Sequence, residues 1–223
     1  MLCALALLGG EARPPAAAPP VPYLRDLSER SAALITIAAE PSWRAALQLA
    51  RWQTSDPDCT TSAAGAFLLA ADVAPAPGVE TVLASYTAGL VVLDARGHKL
   101  AAAPPLVCAG SVDAIEYIAA IDPQIGDPVI AIAAVAGGRA ERTTWLLLFV
   151  VRGERISSIF SAPVEEWRGP AVSAGEVDLL DGGALRHHAP SGAVTLWRYD
   201  RDAGRYVLRE VLRGPGPAGG PAA

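Results

Sequence analysis

Short runs of valine, isoleucine and leucine, cut by turns that carry glycine and aspartate, set the pattern of this chain from its middle to its end. The clearest are residues 81–85 (TVLAS), 90–94 (LVVLD), 129–134 (VIAIAA), 144–151 (TWLLLFVV) and 194–199 (VTLWRY), several with an aromatic in the run. Runs of this length, rich in β-branched residues and bounded by turn formers, are strands joined by hairpins. After Asp94 the chain reads Ala95, Arg96, Gly97, and that glycine supplies the positive φ a tight turn needs.

The runs fall into groups. Residues 65–72, 80–86, 89–94 and 98–103 predict four consecutive strands, and 112–121, 128–135, 141–152 and 155–161 predict four more. A third group covers 164–167, 174–180, 184–188, 193–199 and 205–212. The groups repeat at about 45–50 residues, close to the period of a propeller blade. The expected fold is therefore all-β, built of antiparallel four-stranded sheets in a small or partial β-propeller-like arrangement, with a β-sandwich as the alternative. Upstream the pattern is less decided. Residues 23–31 suit a short helix or an extended lead-in, 32–39 and 44–54 suit helix or strand, and 55–64 (SDPDCTTSAA) read as a loop.

Composition narrows the classes. The 223 residues are 52% hydrophobic and 18% charged, which places the chain outside the disordered class and allows one substantial core. Its net charge is −5 and Lys99 is its only lysine, so the clustered cationic footprint of a nucleic-acid binder is missing and nucleic acid is not an expected partner.

The first residues bear on compartment. Residues 2–8 (LCALALL) form a short apolar run, small residues follow up to Ala12, and 13–22 (RPPAAAPPVP) form a stiff Pro/Ala linker. That order predicts a signal peptide over 1–12 and a stiff Pro/Ala linker over 13–22, hence a periplasmic or secreted protein with an all-β domain over 23–212. The run is far shorter than the ~20 residues a spanning helix needs, so no membrane span is expected. Cys3 lies inside the apolar run and would leave with it. Of the remaining cysteines, Cys59 and Cys108 are expected to pair as a disulfide if the chain is exported, and to be two buried thiols if it is not. Residues 213–223 (RGPGPAGGPAA) hold too much Gly and Pro to pack and predict a disordered tail.

The stretches GVETVLASYTAGLVVLDARGHKLA and SGAVTLWRYDRDAGRYV resemble blades of secreted bacterial propeller proteins of the FG-GAP/VCBS kind, in which an apolar strand leads through a hairpin to a turn of DxxG type, here residues 94–97. The resemblance spans residues 65–212 and implies a secreted propeller. Those families often carry a DxDxDG calcium loop. Here the nearest stretch is 122–127 (DPQIGD), with too few carboxylates at alternate positions, so no calcium, other metal or cofactor is expected.

Catalytic signatures are absent: there is no GxSxG elbow, Walker loop, HExxH or dinucleotide fingerprint. His187 and His188 adjoin on a predicted strand, so they face opposite sides and cannot ligate one ion. Glu165 and Glu166 beside Trp167 suggest a sugar site. Yet hydrolysis needs two carboxylates across a gap of about 5–10 Å, and the partner of either would have to come from elsewhere, such as Asp178 or Asp113. Trp145 and Trp197 sit inside apolar runs and read as core, whereas Trp43 and Trp167 lie at segment edges and are the candidates for surface recognition.

These observations favour a non-catalytic exported β-module that binds a protein or a cell-envelope component, with Trp43, Trp167, Glu165 and Glu166 as candidate recognition residues. A glycan-acting hydrolase and a structural subunit of a larger assembly are the alternatives. The last predicts an oligomer, because an open sheet edge must be covered.

Overall fold

The computed structural model describes residues 23–25, 36–37, 67–75, 78–85, 89–103, 112–137 and 140–214. Residues 1–22, Trp43, Cys59, Cys108 and the tail from 215 lie outside them, and with these the expected cleavage site, linker and disulfide. Within the described residues the chain is all-β, and its one helical element is a 3-10 turn, Asp181–Gly183. No described helix is long and apolar enough to cross a membrane.

Two short strands come first, β1 (Leu24–Arg25) and β2 (Thr36–Ile37). A four-stranded antiparallel meander follows: β3 (Phe67–Ala71), β4 (Glu80–Ser85), β5 (Gly89–Leu93) and β6 (Lys99–Ala103). The second meander has longer strands, β7 (Val112–Ile121), β8 (Val129–Gly137), β9 (Glu141–Arg152) and β10 (Arg155–Arg168). After the small edge strand β11 (Ala171–Ala174), the third meander is β12 (Glu176–Leu179), β13 (Leu185–His188), β14 (Val194–Asp200) and β15 (Arg205–Arg213). Strand β1 adds to β12 in parallel.

The first two meanders form one nearly closed sheet. They are joined by a single parallel pair, Arg155 against Ala102, and β3 lies alongside β7 at the far end. Between them sits a core that includes Leu69, Val82, Leu90, Val92, Ile118, Ile130, Ile132, Leu147 and Phe149. The opposite face of the second meander carries Ala131, Leu146, Leu148, Val150, Phe160 and Val164, and meets Val177, Leu179, Leu185 and Tyr206 of the third. The second meander is thus a middle layer buried on both faces. Consecutive apolar residues such as those of VIAIAA and WLLLFVV are the expected consequence, since alternation survives only where one face meets water. Aromatic edges close the second seam: Phe160 meets Trp197 at 5.4 Å and Tyr206 at 5.8 Å between ring centroids, both T-shaped.

The turns follow the sequence. Asp94 Oδ1 accepts from the backbone N–H groups of Arg96 and His98, each at 2.8 Å, while Gly97 takes φ +79°. Asp200 Oδ1 accepts in the same way from Asp202 and Ala203 ahead of Gly204 at φ +63°. The backbone bond from His98 chiefly holds the Asp94 carboxyl below its ordinary range, and that from Ala203 does so for Asp200.

One boundary differs from expectation. Residues 155–161 and 164–167 are not two strands but the single strand β10, which runs through Pro163 with register shifts between Ser158 and Phe160 and between Pro163 and Glu165. A proline lacks the N–H of a ladder bond, and a bulge is where a strand tolerates that loss. The Pro163 carbonyl remains useful: His187 Nε2 donates to it at 2.8 Å across the seam.

Candidate functional site

The two-residue strand β1 sits between two polar clusters, with Tyr23 reaching toward one and Arg25 toward the other. Tyr23 adopts φ +64°, a left-handed conformation that is uncommon for an aromatic residue, while its carbonyl accepts from Val177 N at 2.8 Å.

The first cluster lies at the end of the seam between the second and third meanders. Strand pairing sets Arg142, Trp167 and Val172 in one row across β9, β10 and β11, and Thr144, Glu165 and Ala174 two rows on, on the same face. Trp167 Nε1 donates to Glu165 Oε2 at 2.7 Å, and the buried Thr144 hydroxyl donates to the same oxygen at 3.2 Å. The Arg142 guanidinium lies 3.9 Å from the centre of the Trp167 ring, a cation–π contact. From β7, Glu116 stands where the register shifts between Ile115 and Tyr117, and its Oε2 accepts the Tyr23 hydroxyl at 3.1 Å. Partial burial pushes the Glu116 carboxyl up, the Tyr23 hydrogen bond pulls it part of the way back, and the Glu165 charge adds to the rise. Burial, and after it the charges of Glu116 and Glu165, push the Tyr23 phenol up to about 12, so it remains a protonated donor at neutral pH. Two carboxylates from different strands are thus brought to one tyrosine.

The second cluster covers the outer face of the third meander. Glu176 pairs with His188 and Asp178 with Arg186 across β12 and β13. Asp178 is 2% exposed, and its Oδ2 accepts from Arg186 Nε at 2.7 Å, Arg186 Nη2 at 2.7 Å and His188 Nε2 at 3.0 Å. Arg25 pairs with Glu176 and approaches Asp178 Oδ1 at 4.0 Å. Glu176, Asp178 and His188 offer ligand atoms within 4.8 Å of one another, which is the donor set of a metal site. Two guanidiniums already neutralise those carboxylates, and the donors on Asp178 Oδ2 leave that oxygen little capacity for a cation. The cluster reads as a closed ion-pair network, a polar outer surface for the stack of meanders.

The residues marked out by sequence fall as follows. Glu165 and Trp167 belong to the first cluster, and Glu166 turns to the other side, where Arg168 Nη2 donates to it at 3.2 Å. Asp178 lies in the second cluster and is not brought to Glu165. Asp113 lies on β7. His187 and His188 do face apart, one to Pro163 across the seam and one to Asp178. Trp145 and Trp197 pack against the two cores while partly exposed. Sequence reading missed Tyr23, Glu116, Thr144 and Arg142. The only signals they gave were an acid, Glu116, inside the apolar stretch of β7 after Asp113, and a threonine pair leading into that of β9.

His187 gives a test of the seam. The residue is 5% exposed, and burial, together with the neighbouring His188, holds its imidazole below the ordinary 6.5, against the Pro163 hydrogen bond, which favours the charged form. The unfolded chain therefore takes up a proton at about pH 6.5 that the folded chain still refuses. Stability is expected to be full above that pH, to fall as pH drops toward the folded value, and to level off below it. In His187→Gln, whose amide can still donate to Pro163, this part of the slope disappears. Urea midpoints of both proteins across that range give the answer, and parallel profiles would show that His187 does not titrate there.

The fold and these clusters define a class: an all-β stack of four-stranded meanders, a nearly closed barrel-like sheet packed against a third meander, with a polar network at one end of the seam. No known family, curated protein or solved structure matches the chain.

Proposed function

We propose that the chain is a non-catalytic, exported β-module that binds a protein or a cell-envelope component through the β10–β11 hairpin. The carrying observation is the row Arg142–Trp167–Val172. Trp167 is held by Glu165 and Arg142, and beside it β11 exposes all four of its residues, Val172 by 46%. A fixed tryptophan flanked by arginine and open apolar surface is the composition of a recognition hot spot.

Two further points support binding over hydrolysis. A hydrolase needs an open gap between its acids for substrate or water. Here the group on which both Glu116 and Glu165 act is the protein's own Tyr23 phenol, and Glu165 has one oxygen held by Trp167 and Thr144. The exported character rests on residues 1–22, and the likeness to secreted FG-GAP/VCBS-type propellers on the DxxG-type turn at 94–97 and the three meanders.

A photo-crosslinking amino acid at Val172, in the full chain expressed in its own host, tests the reading, with the same group at the exposed Ala203 turn as control. One discrete covalent product is expected from position 172, absent from position 203 and lost with Trp167→Ala. Identical products at both positions would sink the proposal, as would glycan cleavage abolished by Glu165→Gln.

A further inference from the structure

Strand β15 ends its sheet, and among the described residues no strand pairs with its outer edge. It is nine residues long, and seven of them are exposed. Three large apolar residues stand in water, Leu208 (47%), Val211 (57%) and Leu212 (48%), far from the β10–β11 hairpin in sequence and on a separate sheet.

The charge of this edge runs against that of the whole chain. Over Val194–Arg213 there are five arginines (198, 201, 205, 209, 213) against three acids (200, 202, 210), in a chain of net charge −5. Arg209 Nη2 meets Asp200 at 3.3 Å, while Arg205 and Arg213 are exposed at the two ends of the strand. Register shifts against β14 fall at Arg209 and Leu212, which leaves Arg205–Leu208 as a regular run.

These features select among occupants. A second copy pairing antiparallel over the whole strand would set Arg209 against itself and Arg205 against Arg213, and like charges directly opposite destabilise a ladder, while one confined to Arg205–Leu208 would leave Val211 and Arg213 outside the pairing. A lipid surface could meet the leucines and arginines but has no N–H or C=O row to satisfy the edge. An extended peptide with carboxylates among apolar residues satisfies all three demands: the backbone row, the apolar strip and the arginines.

We infer that β15 is a docking edge for an extended acidic polypeptide, which pairs as a strand over Arg205–Leu208 and continues past the bulges to Arg213, with its carboxylates on Arg205 and Arg213 and its apolar side chains on Leu208 and Val211. This surface is independent of the β10–β11 hairpin.

The test is fluorescence anisotropy of the full chain with a labelled peptide of alternating valine and glutamate. The expected result is saturable binding that weakens with salt and falls about tenfold or more in Arg205→Glu/Arg213→Glu. Leu208→Ser/Val211→Ser, exposed changes that the fold tolerates, should also weaken it. A peptide carrying lysine for glutamate, and one N-methylated along its whole backbone, should not bind. Retained binding of either control peptide overturns the inference. So does an unchanged affinity in the charge-reversed variant, and so does capture of anionic phosphatidylglycerol vesicles in place of the peptide. Dimerisation in sedimentation that blocks the peptide would assign the edge to a second copy and overturn it as well.

Discussion

Leu147→Ala and Leu148→Ala are each expected to cost about 3 kcal/mol of stability, although the two residues are neighbours on one strand. Successive side chains on a strand point to opposite faces, so in a two-layer sandwich one of such a pair meets solvent and its truncation is nearly free. On β9 both are in core: Leu147 (8% exposed) faces the first meander with Ile132 and Phe149, and Leu148 (0%) faces the third with Leu146 and Phe160. Each truncation therefore loses transfer free energy and leaves a cavity that neighbouring sheets cannot close by rigid-body movement. Leu208→Ala, on the exposed edge, should fall within about 0.5 kcal/mol of the parent. Equilibrium urea unfolding of the three variants gives the comparison. If either core variant behaves like Leu208→Ala, the middle layer is not buried on both faces.

The second large effect is expected at Gly183, and its neighbour provides the control. Gly182 and Gly183 both take left-handed φ, +72° and +75°. A Cβ on Gly182 would meet open space, so alanine there pays only the conformational cost, about 1 kcal/mol. On Gly183 it would lie 2.6 Å from the Pro123 carbonyl and 3.2 Å from Ile125 Cγ2. The first contact is backbone and cannot rotate away. The Gly183 carbonyl also accepts the buried Tyr206 hydroxyl at 2.9 Å, so a shift of this turn disturbs the aromatic seam. Gly183→Ala should cost about 3 kcal/mol or more, by overpacking added to backbone strain. Thermal or urea unfolding of the two alanine variants checks this, and equal losses would show that Pro123 does not press on this turn.

The twelve strands of the three meanders were legible because their information is local. Each hairpin needs only a run of suitable residues and a turn such as residues 94–97, where Asp94 and Gly97 carry their own hydrogen bonds and φ. Even the layer order left a trace, since the second group lacks polar alternation and the third has it. What was not legible depends on contacts across long sequence distance. Tyr23 and Glu116 are 93 residues apart, and nothing local ties β1 to β12. Pro163 misled for a different reason. It is a strand breaker by its chemistry, and only a bulge beside a partner strand lets it continue. Glu165 and Trp167 lie two apart on β10 and so share one face, yet the candidate partner Asp178 belongs to the third meander's outer surface, and Glu116 came instead from a bulge that periodicity cannot foresee.

The slender junction between the first two meanders has a consequence for how the molecule breathes. Arg155 and Ala102 form the sole ladder pair there, supported by the bond from Ala102 N to Glu154 O at 3.4 Å. Opening that line breaks a single ladder pair, whereas separating β9 from β10 breaks a ladder running the length of both strands. Amide exchange through partial opening should therefore divide the chain at this line. The first meander would swing away as one cooperative unit, while the second and third, locked by their aromatic seam, stay together until global unfolding.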